Sequence, residues 1–116
     1  MANQDVGMSV EVRKLREELR TKGLEKRIAT ICQEHDIVFI AVFGSFVRGE
    51  QKERSDVDIA IEFDKGKPKS LFDLLHVEEK LSKILKRKVD LGVLSSLSPY
   101  VADDVRKEMQ VIYEKG

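Results

Sequence analysis

The chain has 116 residues, enough for one compact domain and too short for a second substrate-binding domain of ordinary size. Its 21 basic and 21 acidic residues balance to zero, which argues against a general nucleic-acid binder, and no apolar run approaches the length of a membrane span. The single cysteine, Cys32, excludes an internal disulfide and a multi-cysteine zinc site.

Residues 1–8 are expected to form a disordered N-terminus, and the remainder, 9–116, a single domain. Asn3, Gln4 and Asp5 do not make the basic-then-apolar pattern of a signal peptide, so a cytoplasmic protein is expected. From Ser9, a fitting N-cap, to Glu34 the sequence reads as helix, interrupted near Gly23. Residues 9–22 then form an N-terminal helical extension striped by Val12, Leu15 and Leu19, while Leu24, Ile28, Ala29 and Ile31 form a second stripe. Cys32 falls on the apolar side and reads as core.

Ile37 to Phe43 is a near-continuous apolar run with β-branched and aromatic residues, suited to a buried strand that Gly44 ends. A short helical turn around Phe46 to Glu50 and a charged loop follow. Val57, Ile59, Ile61 and Phe63 then alternate with Asp58, Ala60 and Glu62 as a second strand. Gly66 and Pro68 mark a loop, and Ser70 caps a helix to about Arg87 whose buried face is expected from Leu71, Leu74, Leu75, Leu81, Ile84 and Leu85. Lys88 to Leu94 is a third strand. Ser98 and Pro99 start a last helix through Glu108, and Val111 to Tyr113 adds an edge strand. The order predicts a small α/β or α+β domain built on one sheet. The basic clusters Arg13 to Arg16, Lys65 to Lys69 and Lys86 to Lys88 read as solvated faces, and His35 and His76 as structural residues.

The chemistry gathers at Gly44-Ser45 and Asp56-Val57-Asp58. With nine Asp in the chain, about one Asp-x-Asp is expected by chance, so the information lies in the Gly-Ser placed shortly upstream at a strand end. Residues two apart on a strand face the same way, so Asp56 and Asp58 can meet one metal. Asp90, near the start of the third strand, can complete a two-metal clamp, because Mg²⁺ takes oxygen ligands and shares them with substrate phosphates. Gly44 lets the backbone approach a phosphate, Ser45 adds a hydroxyl and an amide, and Arg48 can pair with phosphate. Together these parts suit transfer of a phosphoryl-type group.

Phe43-Gly44-Ser45-Phe46-Val47-Arg48-Gly49-Glu50 and Ser55-Asp56-Val57-Asp58-Ile59-Ala60-Ile61 resemble the signature of the minimal nucleotidyltransferases (MNT), a branch of the polymerase-β-like nucleotidyltransferase superfamily. Val89-Asp90-Leu91 resembles the family's third acidic strand and Met109 to Glu114 its ending, so the likeness covers roughly residues 24–114. Many relatives carry Arg where this chain has Phe46, and Ala where it has Val47; the lost Arg would either weaken a nucleotide contact or shift that task to Arg48.

The resemblance implies a nucleotidyltransferase fold, a small mixed β-sheet flanked by helices. It further implies two Mg²⁺ ions on Asp56, Asp58 and Asp90, ATP held by Gly44 and Ser45, and transfer of AMP with release of pyrophosphate. The implied partner is a HEPN-domain toxin, a ribonuclease adenylylated on a tyrosine, with this chain as antitoxin in a hetero-oligomer; a homodimer stays open. Two other functions stay open with it: an antitoxin acting by contact alone, and a small-molecule enzyme of the aminoglycoside-modifying type. Neither a membrane nor a directly bound nucleic acid is expected.

Overall fold

Alternation along the strands decides which helix covers which side of the sheet. The computed structural model describes residues 13–14, 17, 23–44, 47 and 56–115. In chain order these form α1 (Leu24–His35), β1 (Ile37–Phe43), β2 (Val57–Phe63), α2 (Leu71–Leu85), β3 (Val89–Val93), a 3-10 turn (Leu94–Ser96), α3 (Pro99–Glu108) and β4 (Gln110–Glu114). The four strands make one mixed sheet in the order β3-β2-β1-β4, with β1 antiparallel to both β2 and β4, and β2 parallel to β3. The predicted helix-flanked sheet is therefore what the chain forms.

Val57, Ile59 and Ile61 of β2 and Val89 and Leu91 of β3 point to one side, where Ile28, Ile31 and Cys32 of α1 and Val77 and Leu81 of α2 close the larger core. The opposite side is smaller: Ala60 meets Leu94 and, from α3, Ala102 and Val105, with Phe39 and Phe43 packed around them. β1 serves both cores, which explains why its sequence is a continuous apolar run rather than an alternation. A register irregularity between Ile37 and Phe39 accompanies this double duty. Cys32 is fully buried, and burial pushes its thiol up to about 12.

The helix ends follow local chemistry. Gly23, at φ 69°, is the N-cap of α1, so the predicted interruption falls there. Ser70 and Asp73 form a capping box at α2, and Ser98 with Pro99 starts α3 as predicted. Asp36 closes α1 in the left-handed region and binds Lys69 at 2.7 Å, so Lys69 is engaged in the structure rather than merely solvated. His35 lies 2.9 Å from the Lys80 ammonium, and burial together with that charge lowers its pKa. His76 is exposed.

One expectation fails. Leu71 and Leu75 do not belong to the buried face of α2: they are 68% and 48% exposed, and Phe72 is 73% exposed. At about 100° per residue, the inward stripe runs through Leu74, Val77, Leu81, Ile84 and Leu85, and places Leu71 and Leu75 at its flank and Phe72 opposite it. Among the described residues, no helix is long and apolar enough to cross a membrane. Of the predicted segments 1–8 and 9–22, only Arg13, Lys14 and Glu17 are described; they are helical and exposed.

Candidate active site

The parallel pairing of β2 with β3 sets Asp58 directly beside Asp90, between the pairs Val57–Val89 and Ile59–Leu91. Because those flanking pairs enter the larger core, both carboxylates project to the α3 side of the sheet. Asp58 is half-buried and Asp90 exposed. Asp56 immediately precedes β2, and its Oδ2 lies 4.0 Å from the Lys88 ammonium. The start of the strand pair is fixed by the Val57 amide, which donates to the Lys88 carbonyl at 2.9 Å.

Gly44 abuts this group from the neighbouring strand. Phe43 pairs with Asp58 across β1 and β2, and Gly44 then turns away with φ 77°. A Cβ at Gly44 would lie 2.2 Å from Asp58 Oδ2 and 3.1 Å from its Cγ, so the site requires glycine on two counts, conformation and space. The Gly44 carbonyl accepts from the Val47 amide at 3.1 Å, and Val47 is buried; the rest of the expected turn over 46–50 lies outside the described residues. Ser45 and Arg48, the other predicted phosphate contacts, lie outside the described residues.

One contact was not predicted. The Gly44 amide donates to Glu108 Oε1 at 2.9 Å, across 64 residues of sequence. A signal for it was present: Glu108 is the last residue of α3, where the helix macrodipole disfavours a carboxylate, so a donor from elsewhere was to be sought. Glu62, on the same face as Asp58, is a structural residue. It accepts from both the amide and the hydroxyl of Ser95, the latter at 3.1 Å, and ties the 3-10 turn to β2.

Asp56, Asp58, Asp90 and Gly44 therefore meet at one end of the sheet. The donor set is all oxygen, which suits Mg²⁺. Among the described residues, no three His, Cys, Asp or Glu side chains converge as a ready-made cage. Two open cavities lie at the other end of β2: one of about 780 Å³ lined by Phe39, Glu62, Arg106 and Met109, the other of about 500 Å³ lined by Lys67, Lys69, Leu74 and Val93. The carboxylates line neither of them.

A family profile described as polymerase beta, nucleotidyltransferase matches residues 26–116. The protein adenylyltransferase MntA of Thermococcus cleftensis is 46% identical over 70 residues, covering 60% of this chain and 69% of that protein. A provisionally named minimal nucleotidyltransferase of known structure superposes with a TM-score of 0.64 at 31% identity, covering 81% of this chain and 92% of the other. A crystal structure described as a toxin–antitoxin with AMP-PNP contains a chain that also superposes at 0.64, with 25% identity and coverage of 78% and 73%.

Proposed function

This chain belongs to the polymerase-β nucleotidyltransferase family, as a minimal member, and from that premise we propose that it transfers AMP from ATP to a hydroxyl of a partner protein in the cytoplasm. The acceptor is a tyrosine of a HEPN-domain toxin, which makes this chain the antitoxin. The names borne by its relatives, a protein adenylyltransferase and a toxin–antitoxin with an ATP analogue, support that reading. The observation that carries it is the direct pairing of Asp58 with Asp90 while Gly44 rests on the Asp58 carboxylate. Carboxylate oxygens of the kind that Mg²⁺ takes then stand beside the glycine where a phosphate would approach.

In this reading Asp56, Asp58 and Asp90 hold two Mg²⁺ ions, whose charge would neutralise the triphosphate and stabilise the entering and leaving oxygens. The Gly44 turn, Ser45 and Arg48 orient the phosphates. The acceptor oxygen bonds to the α-phosphorus as the bond to the pyrophosphate oxygen breaks, and Asp90 takes the hydroxyl proton. Asp90 faces solvent, so the acceptor can reach it from outside the domain, as a side chain on a partner surface would.

A second reading is inhibition of the toxin by contact alone. In its favour, Asp56 faces Lys88 and the described carboxylates do not form a ready cage. Transfer of label from α-labelled ATP with Mg²⁺, with and without the HEPN protein, separates the two. Label on the partner that is lost in Asp56→Asn supports adenylylation. A stable complex without label, together with neutralisation by Asp56→Asn, supports contact inhibition.

A further inference from the structure

Gly44 ends β1 with φ 77°, and two carboxylates hold it from different directions. Asp58 fills the space where a Cβ would stand. Glu108 accepts the Gly44 amide at 2.9 Å from the end of α3. Gly44 is buried and Glu108 is half-buried, so the bond is partly shielded from water. A charged acceptor makes it stronger than a neutral one would. The last turn of α3 otherwise carries the cations that its dipole favours, Arg106 and Lys107. Against that dipole, Glu108 receives an amide from across 64 residues of sequence.

The same bond directs the Gly44 amide at Glu108. Gly44 then serves the nucleotide by position, through the point at which the chain leaves β1 beside Asp58. We propose that Glu108 is a positioning residue for the nucleotide, fixing the Gly44 turn against Asp58 and so setting the spacing between the phosphate-gripping turn and the carboxylates. The proposal rests on the nucleotidyltransferase reading and deepens it, with Glu108 acting through Gly44. Displacements of about 1 Å at such a turn can cost roughly 100-fold in rate, so one remote hydrogen bond is enough to matter.

The test uses the full chain with Glu108→Ala and Glu108→Gln, since Gln keeps an acceptor oxygen and loses the charge. Two quantities are read, with thermal melts confirming that each variant folds: the exchange rate of the Gly44 amide without ligand, and the affinity for ATP with Mg²⁺. Glu108→Ala should speed Gly44 exchange about tenfold or more and weaken ATP binding by a similar factor. Glu108→Gln should restore most of both.

Unchanged exchange in Glu108→Ala, with ATP binding intact in the wild type, would overturn the proposal alone. So would a folded Glu108→Gln as impaired as the alanine variant, because the carboxylate would then act through its charge and not as an amide acceptor. A wild type that binds no ATP would overturn the functional reading, and the positioning role with it.

Discussion

Asp58 and Glu62 share one face of β2, roughly 13 Å apart along the strand, yet the molecule treats them oppositely. Toward the Glu62 end several carboxylates have protein donors. Glu62 holds Ser95, Asp64 accepts the Gly66 amide, Asp73 accepts the Ser70 amide and hydroxyl, and Asp36 accepts from Lys69. At the start of the strand the arrangement is sparse. Asp56 has an exposed lysine at 4.0 Å, and Asp90 faces solvent beside Asp58. Carboxylates that receive donors from their own chain are fastenings. Carboxylates set side by side, as Asp58 and Asp90 are, repel one another and favour a cation between them, and this pairing is what distinguishes the start of the strand from its other end.

The largest effect should come from Asp58→Asn. Transfer of AMP is expected to fall roughly 100-fold or more, a barrier increase of about 3 kcal/mol, and the stabilisation of the protein by Mg²⁺ should shrink. Label transfer and melting with and without the metal measure both. Retention of both in the variant would make Asp58 one more fastening.

Next in size, Gly44→Ala should destabilise the fold more than Gly23→Ala. Both glycines have positive φ, which costs an alanine about 1–2 kcal/mol, but only at Gly44 does the new methyl meet Asp58; nothing lies within 4 Å at Gly23. Urea unfolding of the two variants isolates the added cost of crowding the carboxylate.

At the fastened end, Glu62→Ala should cost about 1–2 kcal/mol of stability and leave ATP affinity unchanged. A loss of affinity there, measured by nucleotide titration, would blur the division between the two ends.

The smallest effect concerns acid. The Lys69 hydrogen bond holds the Asp36 carboxyl below its ordinary value. Where the unfolded chain binds that proton and the folded one does not, stability rises with pH. The contribution is therefore complete above about pH 4 and is lost as pH falls through the lower, folded value. Lys69→Met should flatten the acid limb of a urea-midpoint profile below about pH 4, with little change in slope at neutral pH.

The strands were legible because their side chains carry the pattern: Ile37 to Phe43 and Val57 to Phe63 fall where the apolar runs put them, and Ser70, Ser98 and Pro99 start the helices they should. The pairing of Asp58 with Asp90 was legible only as a possibility, since the parallel register that makes them neighbours depends on how β3 docks beside β2. The exposure of Leu71 and Leu75 was missed because an apolar residue near a helix start reads as buried until the centre of the inward stripe is known. Glu108 was missed for a different reason. Its partner is a backbone amide 64 residues away, and an amide has no residue type for a pattern to register.

Cys32 sits fully inside the larger core with its thiol pushed up to about 12, so at pH 7 only roughly one molecule in 100,000 carries the nucleophilic thiolate there. The folded protein is in effect silent toward maleimides and iodoacetamides without any cysteine having to be removed. A cysteine introduced at an exposed position such as Tyr100 would therefore take a fluorophore or spin label alone, giving a single-site reporter for the approach of a partner.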